Sequence, residues 1–126
     1  MMFTPDEARA IVAALGSAAQ DGEQHAKIAT AGGDTKEAAL AGYFAEECKR
    51  LSRRFALARG SFSFLTVQDS EIITAALRTR ANFWQQQSLA ASTPHEKNKR
   101  GAFAGAFAML ADRIEREVGR SPALKH

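Results

Sequence analysis

A chain of 126 residues with 45% hydrophobic content, three prolines and one cysteine can bury a core without covalent staples. The lone Cys48 excludes an intramolecular disulfide and a cysteine-based zinc site, and it suits a reducing cytoplasm. A formal charge of +3 is too small by itself to mark a nucleic-acid-binding protein, no window approaches about 18 continuous apolar residues, and residues 1–7 lack the basic start and apolar run of a secretory leader.

The first start signal is Thr4, placed as an N-cap with Pro5 at N1 and Glu7 at N3, a capping box. Phe3 is expected to staple onto Ala8. Ile11, Ala14, Leu15 and Ala18 keep helical spacing. Gly22 weakens this helix and leaves open a restart near Asp21; otherwise it runs to about Ala31, where Gly32-Gly33 stops it. Asp34 with Glu37 opens a second helix whose stripe is Leu40, Phe44, Cys48, Leu51 and Phe55, with Glu46, Lys49, Arg50 and Arg53 on the other side. Gly60 ends it, and Phe62 and Phe64 in the connection are expected to cover one end of the core.

Thr66 opens a third helix, with Ile72, Ile73, Ala76, Leu77, Phe83 and Trp84 inward, running to about Ala91. Thr93, Pro94 and Glu96 form another capping box. The fourth helix then buries Phe103, Ala106, Phe107, Leu110, Ile114 and Val118, and Gly119 stops it. Residues 121–126 are expected to be a flexible tail.

These segments repeat. Shifted by 62 residues, Thr66 falls on Thr4, Asp69 on Glu7, Ile73 on Ile11, and Ala75-Ala76-Leu77 on Ala13-Ala14-Leu15. Shifted by 59, Thr93 falls on Asp34, Phe103 on Phe44, Leu110 on Leu51 and Ile114 on Phe55. A change of loop length would absorb the difference between the two shifts. The pattern predicts an all-α fold: a four-helix up-down bundle of two tandem αα-hairpins, 3–59 and 65–118, inside one domain, 1–120. Helices of this length argue against a helix-turn-helix reader.

Signals for chemistry are sparse. The histidines are His25, His95 and His126, with no Glu-x-x-His pair and no second His four residues after His95, so neither a di-iron bundle nor a zinc protease is indicated. Cys48 lies on an apolar stripe, where a cysteine behaves as a small hydrophobe. No phosphate loop follows Gly32-Gly33. No catalytic residue, metal or cofactor is therefore expected.

Three sets of residues remain as candidate sites. Arg80 falls on the inner face of the third helix with Asp69 near the same line; it reads as a buried ion pair, with Asp69, Glu47 or Glu117 as partner, as a snorkelling side chain, or as part of an anion-binding cleft between the two hairpins. Lys49, Arg50 and Arg53, with Lys97, Lys99 and Arg100, could contact phosphates or form a solvated face. Opposite the phenylalanine stripe of the fourth helix lie Gly101, Ala104, Gly105 and Ala108, with Asp112 beyond. Two interior glycines four apart suggest close approach of another backbone, as in a homodimer. The leading expectation is a cytoplasmic, non-enzymatic protein acting through protein–protein contact, as a homo-oligomer; the alternative is a nucleic-acid-associated accessory protein.

Overall fold

Each helix begins where the sequence supplies an oxygen for its orphan amides. Thr4 Oγ1 accepts from the Glu7 amide at 3.1 Å while the Glu7 carboxylate accepts from the Thr4 amide at 2.8 Å, a complete capping box. Asp34 accepts from the Glu37 amide at 3.0 Å, Thr66 from the Asp69 amide at 3.0 Å and Thr93 from the Glu96 amide at 3.2 Å. In the computed structural model, which describes residues 2–58 and 66–120, these caps open four helices. They are α1 (Pro5–Ala31), α2 (Thr35–Ala58), α3 (Val67–Leu89) and α4 (Pro94–Arg120). Expectations for Gly60, Phe62, Phe64 and the tail lie outside the described residues.

Among the described residues the fold is all-α, and the four helices form two tandem hairpins, α1 with α2 and α3 with α4. The hairpins belong to two compact units, Met1–Ser63 and Phe64–His126, each described by itself. The α1–α2 turn needs Gly33, whose φ of 80° strains any residue with a Cβ. It lets the Asp34 amide donate back to the Ala29 carbonyl at 2.9 Å and satisfy the helix end. The α3–α4 turn is held by side chains instead. Ser88 Oγ donates to the Lys97 carbonyl at 2.8 Å, and Arg100 donates to the Gln87 carbonyl at 3.0 Å.

The repeat is visible in burial. Ile11 and Ile73, Leu15 and Leu77, Ala14 and Ala76, Leu51 and Leu110, and Phe55 and Ile114 are equivalent pairs, and every member is buried. The difference between the two shifts arises in the helices, not in a loop as the sequence suggests. α3 has 23 residues against 27 in α1, and the second turn returns one residue. Losing about one turn of about 3.6 residues leaves the inward face nearly unrotated, which is why the burial pattern survives it.

Close contact between α1 and α2 is set by Gly22, and α1 runs through it unbroken. A Cβ placed there would lie 3.1 Å from the Ala41 carbonyl oxygen and 3.1 Å from the Ala45 Cβ. The missing side chain lets the two helices meet backbone against methyl, a gain in dispersion contact that offsets the poor helix propensity of glycine. Ala41 and Ala45 must face this contact, so α2 is rotated from the expected stripe. Ala45 is buried, Phe44 is half-buried and Leu40 is 57% exposed. Below the contact Cys48, Leu51 and Phe55 are buried as expected, and Phe3 packs on the Phe55 ring with centroids 5.6 Å apart.

α4 departs from its expected stripe in the same sense. Ala104, the repeat equivalent of Ala45, is buried together with Ala111, while Phe103 is 42% exposed and Ala106 is exposed. Phe83, expected inside α3, is also 42% exposed.

Gly22→Leu should therefore lower the unfolding free energy by about 1–3 kcal/mol, the usual cost of overpacking. Gly16 has nothing within 4 Å of an added Cβ. Gly16→Ala should raise stability by up to about 1 kcal/mol through helix propensity alone. Urea denaturation of both variants checks the contrast, and the opposite order would place the helix contact elsewhere.

Candidate interaction surface

Helical spacing on α3 sets Arg80 beside Phe83 and Trp84, three and four residues on. Its guanidinium lies 4.4 Å from the Phe83 ring centroid and 5.3 Å from that of Trp84. Such contacts contribute about 0.5–1 kcal/mol at exposed sites. Phe83 and Trp84 meet edge to face with centroids 5.3 Å apart, and Trp84 meets Phe103 of α4 at 5.1 Å. Both phenylalanines are 42% exposed, and Arg80 and Trp84 are half-buried. The result is a cluster of three rings and one cation, fixed by contacts within one hairpin and open to solvent.

The ends of this region are pinned electrostatically. Arg78 donates to Glu115 at 2.8 Å and to Asp112 at 2.9 Å, joining α3 to α4. These two carboxylates, Glu115 first, raise its already high pKa further. At the turn, Arg100 pairs with Glu96 at 3.4 Å besides closing the end of α3.

Arg80 thus finds rings where the sequence suggested Asp69. The two residues share a line on the helical wheel but stand eleven positions apart, about 16 Å along the axis at about 1.5 Å per residue. Asp69 is buried in the first turn of α3, its amide held by Thr66. Among the described residues no carboxylate pairs with Arg80.

The small residues of α4 are also placed differently from their expected outward position. Ala104 is buried, and a Cβ on Gly101 would lie 3.5 Å from Ser88 Oγ of α3. Ala108 is half-buried on the same line, and Asp112 holds Arg78. Gly101, Ala104 and Asp112 therefore serve the α3–α4 hairpin instead. Gly105 alone is exposed with open space around it.

The basic candidates divide between the hairpins. Lys49 pairs with Glu23 across the α1–α2 seam and with Glu46 on its own helix, and Arg50 pairs with Glu47. The hydrogen bond from Lys49 holds the Glu23 carboxyl below its ordinary range, and Arg50, with Tyr43, does the same for Glu47. Arg53 lines a shallow groove beside Lys49. Lys97 and Lys99 are exposed on α4 and, among the described residues, have no carboxylate partner.

The seams carry two further grooves at repeat-equivalent places. Pro5, Ala8, Arg9, Val12 and Ala13 line about 550 Å³ in the first hairpin. Their counterparts Val67, Ser70, Glu71, Thr74 and Ala75 line about 420 Å³ in the second. His25 Nε2 lies 2.8 Å from Glu37 Oε1 at the α1–α2 turn. Among the described residues no three His, Cys, Asp or Glu side chains are grouped to hold a metal ion.

The aromatic cluster was not picked out from the sequence, although the repeat contains its signal. Arg80, Phe83 and Trp84 fall on Ala18, Asp21 and Gly22. The second copy is bulky, aromatic and cationic where the first is small or acidic. Trp84 occupies the very position at which the first hairpin needs no side chain at all.

Comparison with protein-family models, with curated proteins and with solved structures gives no match.

Cys48 is fully buried, and burial, aided by Glu47, pushes its thiol up to about 11. A raised thiol pKa contributes stability that is complete below the unfolded value and is lost as pH rises through the folded one. Stability should therefore fall between pH 9.0 and about 11, and Cys48→Ala should flatten that fall. Denaturation across this range measures it; identical slopes in both proteins would mean that the thiol is solvated.

Proposed function

We propose that this is a non-enzymatic helical protein that works by protein–protein contact, with Arg80, Phe83, Trp84 and Phe103 as the contact surface. The observation that carries the reading is the pair of half-exposed phenylalanines flanking a tryptophan and an arginine on one hairpin. Aromatic residues and arginine are the types that dominate binding energy in protein interfaces. Covering apolar surface yields roughly 25 cal/mol per Å². Here the rings already hold one another, so little side-chain freedom is lost on contact.

Support for the other readings is narrower. Self-association through α4 has Gly105 left as its basis. Lys49, Arg50 and Arg100 already face carboxylates, which weakens a phosphate-binding role. The single buried thiol fits a reducing compartment such as the cytoplasm. No helix among the described residues is long and apolar enough to cross a membrane.

A photoreactive benzophenone side chain at position 103 tests the proposal in living cells. It should give discrete protein adducts that survive nuclease, while the same group at Leu57, 84% exposed on the other hairpin, should not. An adduct of twice the chain mass would identify self-association. Nuclease-sensitive adducts, or none, would contradict protein contact at this surface.

A further inference from the structure

Charge is distributed unevenly between the two units. Met1–Ser63 has eight Lys and Arg against eight Asp and Glu, whereas Phe64–His126 has nine against six, so the whole excess of +3 lies in the second. Within the second unit the imbalance is sharper around the aromatic cluster. From residue 72 to residue 111 the only carboxylate is Glu96, set against Arg78, Arg80, Lys97, Lys99 and Arg100. Arg78 is neutralised by Asp112 and Glu115 beyond this stretch. Arg80, Lys97 and Lys99 have no such partner among the described residues.

Arg80 and Lys99 stand beside the rings. Lys99 and Arg100 stand four and three residues before Phe103, and Arg80 stands three before Phe83, so each cation lies within one helical turn of an exposed ring. The neighbouring exposed residues of α3, Asn82, Gln85 and Gln86, are polar but uncharged and able to donate and accept hydrogen bonds.

We propose that the occupant of this surface is an acidic polypeptide segment with apolar anchors. Its carboxylates would meet Arg80 and Lys99, and its apolar side chains would cover Phe83 and Phe103. The proposal rests on the protein-contact reading above and adds the chemistry of the partner. Charge complementarity selects an acidic segment and sets its orientation. It disfavours a second copy, because a two-fold contact on this surface would set Arg80 and Lys99 against their own images. Base stacking is also disfavoured. One face of Phe83 is covered by the Arg80 guanidinium, and Trp84 touches a ring on either side, so flat open faces are scarce.

Trp84 is the single tryptophan of the chain, so its fluorescence reports this surface directly. The full-length protein is titrated with three probes: a synthetic amphipathic peptide of glutamate, leucine and phenylalanine; the same peptide with lysine for glutamate; and oligothymidine. The acidic peptide should shift Trp84 emission saturably, and added salt should weaken it. The lysine peptide and oligothymidine should leave the emission unchanged. Lys99→Glu, at an exposed position, should weaken the acidic peptide about tenfold with unchanged helicity. Phe83→Ser with Phe103→Ser should abolish the shift, and circular dichroism checks that these proteins remain folded.

Equal binding of the lysine peptide, or no saturable shift with the acidic one, overturns the proposal. A response to oligothymidine alone overturns it in favour of nucleic acid. If the acidic peptide fails while nuclease-resistant protein adducts persist at position 103, the contact surface stands and only its acidic partner is rejected.

Discussion

Two antiparallel helices can come close only where their facing residues are small, and in the first hairpin that requirement falls on Gly22. With no side chain there, α2 lays Ala41 and Ala45 directly on α1. The rest of the hairpin follows from this contact. It fixes the rotation of α2, brings Cys48, Leu51 and Phe55 inward, and turns Leu40 out. It also sets Lys49 within reach of Glu23 across the seam. In the second hairpin α4 supplies the small residues, Gly101, Ala104 and Ala111, but α3 has Trp84 where α1 has Gly22. The indole finds its place beside Phe83 and Phe103 at the edge of the hairpin, and a solvent-exposed aromatic cluster results.

Helix starts and stops were legible because they are local chemistry. Thr4, Asp34, Thr66 and Thr93 each cap the helix that the sequence assigned to them. Gly33 does the same for the end of α1. The inward faces were less legible. Adjacent residues on a helix lie about 100° apart, so in an alanine-rich chain two stripes of similar apolar content can run side by side. Counting large side chains favours Leu40 and Phe103, whereas the helices pack on Ala45 and Ala104. Alanine adds little to a hydrophobic count, yet its small size decides how near the backbones come. The wheel singled out Arg80 but also placed Asp69 on its line, since a wheel discards height along the axis. The ring contacts needed three dimensions, because Phe103 comes from the other helix.

The duplication separates what the fold requires from what one copy has acquired. Ile11 and Ile73, Leu15 and Leu77, and the threonine caps recur because each hairpin needs them. Arg80, Phe83 and Trp84 have no counterpart in the first hairpin, and its stability does not call for them. Their departure from the repeat, the exposure of Phe83 and of Phe103 beside them and the local scarcity of carboxylates coincide on one hairpin. The proposed contact surface rests on these three properties. The first hairpin, electrically balanced and closed over Gly22, shows what the same scaffold looks like without that face.

The helix contact can be measured directly by nuclear Overhauser effects in the labelled protein. One Gly22 α-proton points where a Cβ would lie 3.1 Å from the Ala45 methyl carbon, so a strong cross-peak between the two is required. A weaker one should join the Gly101 α-protons to the Ser88 β-protons in the other hairpin, where the corresponding distance to Ser88 Oγ is 3.5 Å. A missing Gly22–Ala45 cross-peak, with Leu40 showing contacts to α1 instead, would contradict the close approach and the rotation of α2 that depends on it.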